Sequence, residues 1–141
     1  MSHGTETQIT QLVGKHPGRL GALAALASLP AHLYIPLSAS YQLAAVILGL
    51  VGGIYVGFAL NDGSSKMVAV EAVVALCFVG AALAGVWLTV WAIPAAYALH
   101  GLWDMAHHHY IATAMPRWYI PLCAVYDWIF AGGLVAIWLV R

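Results

Sequence analysis

Charge is scarce in this chain. Five lysines and arginines and five acids make up 7% of its 141 residues, whereas 63% are hydrophobic. A soluble domain usually carries about 25% charged residues. That shortfall, with a mean hydropathy of +0.88, excludes an ordinary soluble protein and points to one compact membrane-embedded domain. The formal net charge is zero, so there is no basic or acidic excess to recruit nucleic acid or an acidic partner. Cysteine is nearly absent. Cys77 and Cys123 each sit inside an apolar run, which reads as two buried free thiols rather than a disulfide. No internal repeat is visible, which weighs against a monomeric transporter built from duplicated halves.

Polar sequence is confined to a tail at residues 1–17, leaving 18–141 as a single transmembrane helical domain. Apolar runs cover 18–37, 42–60, 67–90, 92–109 and 118–140. Each is close to the ~20 residues that cross a bilayer. The breaks fall at Ser38–Gln42, at Asn61–Lys66, near Pro94 and at Tyr110–Arg117. Pro94 and Pro121 suit the first turn of a helix, whereas Pro30 lies inside the first run and should kink or break it. The expected fold is all-α, an integral membrane bundle of five transmembrane helices. The alternative is four helices plus a re-entrant or broken first segment. A signal peptide also competes for the first run, because Lys15 and Arg19 precede it and Ser38-Ala39-Ser40 resembles a cleavage site. The segment is read here as the first span.

Threading five spans puts Lys15, Arg19, Lys66 and Arg117 on one side and Arg141 on the other. The positive-inside rule then makes the N-terminus cytoplasmic and the C-terminus external. Four spans would move the tail but keep Lys66 with Arg117.

The most informative stretch is His100-Gly-Leu-Trp-Asp104-Met-Ala-His107-His108-His109. At helical spacing His100, Asp104 and His107 share a narrow face, with His108 beside them. Ionisable groups on a lipid-embedded helix are expensive unless they are paired, bind something or face water. Glu71 lies about one turn into the third span and Asp127 about ten residues into the fifth. By depth, these groups converge in the cytoplasmic half of the bundle. Other polar residues have plainer readings. His32 is an interfacial or hydrogen-bonded core histidine, His3 and His16 face solvent, His109 suits a helix end, and Asp62 is a turn residue or cap.

Imidazole with carboxylate is a ligand set for zinc, iron or manganese. His100 and His107 are ~10.5 Å apart along the axis, too far to share one ion easily. A single ion would use His100 with Asp104, or Asp104 with His107 or His108. A two-ion site would use all four, bridged by Glu71 and Asp127. As catalytic groups, Glu71 and Asp127 would move protons. Most aromatics read as interface anchors. Trp103, Tyr97, Tyr126 and Trp128 flank the polar face and are candidates to line a pocket.

Three functions fit: a metal-dependent membrane enzyme acting on an apolar or lipid-like small molecule, an accessory subunit of a larger membrane complex, and proton-coupled transport. In the second, histidines would ligate haem or a pigment, or pair across an interface. Partners would be the bilayer and, for a subunit, other membrane chains or further copies of this one. The pattern Gly57-Phe58-Ala59, Asp62-Gly63, Glu71, the His100–His108 motif, Pro116-Arg117-Trp118-Tyr119 and Tyr126-Asp127 resembles an uncharacterised family of small bacterial integral membrane proteins. The resemblance covers roughly residues 42–140. It implies a helical membrane fold at a bacterial inner membrane and the same polar positions, and supplies no reaction.

Overall fold

The computed structural model describes residues 14–109 and 115–141, with the side chains of Asp62, His108 and His109 excepted. Among the described residues every regular element is helical. In chain order they are α1 (Pro17–Ser28), α2 (Ala31–Tyr34), α3 (Leu37–Asp62), α4 (Ser65–Trp87), α5 (Ala92–His109) and α6 (Tyr119–Val140). Three of them, α3, α4 and α6, are long and apolar enough to cross a membrane. The 18 residues of α5 span ~27 Å. Its polar stripe, His100, Asp104 and His107, accounts for its lower hydropathy.

Local chemistry sets the boundaries. Pro17 opens α1, where a missing N–H does no harm. The first apolar run then breaks at Leu29–Pro30, as Pro30 demands. Ile35 is extended ahead of Pro36, which disfavours a helical residue before it. The break expected at Ser38–Gln42 therefore falls earlier, and Ser38–Gln42 belongs to the first turns of α3. Gly63 ends α3 at φ +73°, a left-handed conformation that only glycine adopts freely. The Ser64 hydroxyl then caps α4 by accepting from the Met67 amide at 3.4 Å.

The broken first segment crosses the full thickness of the bundle. Gly18 and Gly21 of α1 lie against Pro121 and Leu122 near the start of α6. A Cβ on Gly21 would overlap the Leu122 carbonyl, so the two backbones touch there. Further along, Leu29 packs on Gly133. At the far end, the Arg141 guanidinium donates to the carbonyls of His32 and Ile35. The segment thus runs parallel to α6 from end to end, where a re-entrant loop would turn back. His32 is a buried, hydrogen-bonded histidine: its Nδ1 pairs with Ser40 Oγ at 2.8 Å, and Trp138 Nε1–H donates to the same oxygen at 2.9 Å.

The other helices alternate in direction. Tyr41 meets Trp138, and Phe58 meets Tyr119, so α3 is antiparallel to α6. Glu71 of α4 reaches His107, and Gly85 packs on Ile93, so α4 and α5 are antiparallel too. Lys15, Arg19, Lys66 and Arg117 therefore gather at one end, hereafter the basic end, with Arg141 at the other. The apolar core lies in the Arg141 half, where Leu48, Ile93, Phe130 and Leu134 are fully buried. Outside, Leu23, Val46, Leu50, Val73, Leu76 and Leu139 form an exposed apolar surface suited to lipid. Cys77 lies on this outer face of α4 rather than buried as its apolar run suggested, because α4 packs against α3 and α5 along one side only. Cys123 is half-buried, and both thiols are free.

Candidate functional site

The stripe on α5 turns inward. His100, Asp104 and His107 sit at helical spacings of four and three, so they share one face, and they are 1%, 0% and 3% exposed. Tyr55 of α3, Glu71 and Phe78 of α4, and Asp127 of α6 meet them. Tyr55, Glu71 and Asp127 lie toward the basic end, with Asp127 eight residues into α6, or ~12 Å along its axis, and Phe78 lies just past the middle of α4.

Two hydrogen-bonded groups result. In the first, His100 Nδ1 lies 2.6 Å from Asp127 Oδ2 and 3.6 Å from Asp104 Oδ1. Tyr55 donates its hydroxyl to Asp104 Oδ1. In the second, His107 Nε2 lies 2.6 Å from Glu71 Oε1 and its Nδ1 lies 3.1 Å from the Trp103 carbonyl. Tyr55 joins the two. Its ring stacks at a tilt on His107 with centroids 4.4 Å apart, while its hydroxyl serves Asp104. Phe78 and Trp103 stand edge-on to His100 and His107, closing the site with apolar walls.

The partners decide proton positions. A carbonyl oxygen only accepts, so His107 Nδ1 carries hydrogen and donates to Trp103. One further proton lies between Nε2 and Glu71. The pair is either an imidazolium with a carboxylate or a neutral imidazole with a carboxylic acid. For His100, a carboxylate at Asp127 selects the Nδ1–H tautomer and leaves Nε2 with a free lone pair.

Four buried polar atoms, Glu71 Oε2, His100 Nε2, Asp104 Oδ2 and Trp103 Nε1, have no hydrogen-bond partner among the described residues. Buried polar atoms are satisfied as a rule, so this concentration in one place is unusual. The ion pairs among the described residues all use histidine as the cation. With every carboxylate ionised and both histidines protonated, the cluster still carries one negative charge.

A cavity of about 200 Å³ adjoins the first group, lined by Val51, Tyr119, Leu122, Cys123 and Tyr126 together with His100 and Asp127. Its wall is apolar except at the His–Asp pair and the two tyrosines. A larger groove of about 280 Å³ between α3 and α4, walled by Ala45, Val46, Val79 and Leu83, contains no titratable group.

The sequence-selected residues divide between these groups. His100, Asp104 and Asp127 place one ligand-type atom each within 4.8 Å of one another. His107 is instead committed to Glu71. The His108 side chain lies outside the described residues. His100 is the partner expected for Asp127 from matching depth. Of the flanking aromatics, Tyr126 lines the cavity and Trp103 packs on His107, whereas Tyr97 donates to the Ala44 carbonyl and Trp128 is 42% exposed. Tyr55 was not among the candidates, because apart from Tyr97 and Tyr126 the tyrosines read as interface anchors. Its position seven residues inside α3 was the available signal. No family model, curated protein or solved structure matches this chain.

Proposed function

We propose that the chain is a small membrane enzyme that performs acid–base chemistry on a compact apolar molecule, or on one segment of a lipid-like one. The observation that carries this reading is the His100–Asp127 pair lining a cavity of about 200 Å³ whose other walls are apolar apart from Tyr119 and Tyr126. A buried carboxylate that holds an imidazole in one tautomer prepares the far nitrogen to take or give a proton. Asp127 thus orients His100, and His100 moves the proton at Nε2. Tyr55 holds Asp104 in place. Glu71 and His107, closer to the basic end, form a second proton-sharing pair, suited to exchange with that face. The apolar wall excludes water and binds hydrocarbon.

The positive-inside rule makes the basic end cytoplasmic, with the N-terminus inside. The resemblance to small bacterial membrane proteins supports a bacterial inner membrane as the location. A haem or pigment subunit is disfavoured, because the cavity falls below the ~300–1,000 Å³ usual for larger ligands. Transmembrane proton transport is disfavoured too. Leu48, Ile93, Phe130 and Leu134, all fully buried, separate the cluster from the His32–Ser40 pair at the other end.

The test uses purified protein in nanodiscs, a bacterial lipid extract and deuterated water. Untargeted mass spectrometry should find an apolar species that gains deuterium or changes mass with wild type. His100→Gln and Asp127→Asn should abolish the change. Identical lipid profiles for wild type and both variants, with no apolar molecule co-purifying, would sink the proposal.

A further inference from the structure

We infer that His100, Asp104 and Asp127 form a binding site for a single divalent transition-metal ion of the zinc, manganese or ferrous class. The inference stands apart from the acid–base reading, because an ion on His100 Nδ1 leaves the imidazole hydrogen at Nε2, where that reading needs a free lone pair. The ligand set is one imidazole and two carboxylates from two different helices, α5 and α6. Such a mixed nitrogen and oxygen set suits these borderline ions and lacks the thiolates that would favour softer ones. Spacing at four residues puts His100 and Asp104 on one side of the ion, and α6 closes it with Asp127.

Geometry supports the assignment. Ligands bonded at ~2.0–2.2 Å to one ion stand ~2.9–3.5 Å apart. His100 Nδ1 and Asp104 Oδ1 are 3.6 Å apart, close to that range. His100 Nδ1 and Asp127 Oδ2, at 2.6 Å, now share a proton and need to separate by roughly half an ångström. The ion would replace that proton. Tyr55 already donates to Asp104 Oδ1, the kind of outer contact that orients a carboxylate ligand.

Charge supplies an independent argument. Asp104 and Asp127 are 0% and 1% exposed, and neither has a lysine or arginine partner among the described residues. A bound dication would neutralise the pair outright. Asp104 Oδ2, buried and unpartnered, is available for a second bond to the same ion. His107 is excluded from this set because both of its nitrogens are engaged by Trp103 and Glu71. The ion would act on the cavity as a Lewis acid.

The test titrates chelator-stripped protein in detergent with cobalt(II), zinc(II) or manganese(II) alone, then counts bound ions by elemental analysis after desalting. Wild type should retain about one ion per chain. Asp104→Asn and Asp127→Asn should each weaken binding at least tenfold. Glu71→Gln and His107→Gln should leave it intact. Circular dichroism checks that the variants fold, and the visible spectrum of the wild-type cobalt form reads the ligand field without any variant. Absence of a bound cobalt spectrum, or no retained ion, overturns the site. Loss of binding in Glu71→Gln as severe as in Asp104→Asn also overturns it. Stoichiometric metal without any lipid change would leave the ion site standing and sink the acid–base proposal. Lipid conversion by protein that retains no ion after cobalt(II) is added would do the reverse.

Discussion

Replacing Asp127 by asparagine and by leucine separates an ionised His100–Asp127 pair from a neutral one. The two residues meet at 2.6 Å and are each 1% exposed, so water contributes almost nothing to the interaction. Asparagine keeps the shape and leaves an oxygen to accept from His100 Nδ1–H. Its effect is therefore the loss of charge assistance alone. A neutral hydrogen bond contributes ~0.5–1.5 kcal/mol and one to a charged group ~1.5–3 kcal/mol, so the asparagine variant should lose ~1–2 kcal/mol if the pair is ionised. It should be nearly silent if the pair is neutral. Leucine removes the bond and strands a buried imidazole N–H. The expected loss is then ~3–5 kcal/mol, the range for breaking a buried pair by removing one partner. The assay is reversible unfolding in mixed micelles, followed by tryptophan fluorescence and helical dichroism. A double-mutant cycle with His100→Gln should return a coupling of ~1–3 kcal/mol. Leucine at 127 within ~0.5 kcal/mol of wild type, or strictly additive single variants, would refute the claim that the two side chains form one buried unit.

Tyr55→Phe removes only the hydroxyl that serves Asp104, so it should cost ~1–3 kcal/mol and reduce any lipid conversion while preserving helix content. An unchanged unfolding curve would show that Tyr55 merely packs there. Gly21→Val should destabilise the bundle strongly, because its Cβ would overlap the Leu122 backbone, whereas Gly53→Val meets open space and should be tolerated. Equal expression and stability of the two would mean that α1 does not seat on α6. Arg141→Ala should lose ~1–3 kcal/mol and loosen α2, since the guanidinium holds the His32 and Ile35 carbonyls, and faster amide exchange at Leu33–Ile35 would report it. With Cys77 and Cys123 replaced by alanine, single cysteines at Ser38 and Ser65 should be labelled from opposite faces of the membrane. Labelling of both from one side would overturn the five-crossing topology.

Much of this protein is readable from its residues alone. Sparse charge and long apolar runs determine a helical membrane fold, because lipid leaves no other partner for the backbone polar groups. The prolines and Gly63 mark the helix ends, since they act through local backbone sterics that do not depend on neighbours. The helical period puts His100, Asp104 and His107 on one face, and depth counting brings Asp127 level with His100.

Other features depend on which faces meet, and sequence spacing within one helix carries no such information. Whether the segment broken at Pro30 crosses or turns back is decided by Gly21 against Leu122 and by Arg141 reaching His32. The split of the polar residues into a His100–Asp104–Asp127 group and a Glu71–His107 pair is likewise tertiary. It follows from the approach of α4 to one turn of α5 and of α6 to the next. Tyr55 becomes part of the site for the same reason: a tyrosine in an apolar span is an anchor or a ligand holder according to what the neighbouring helix presents, and here α5 presents Asp104.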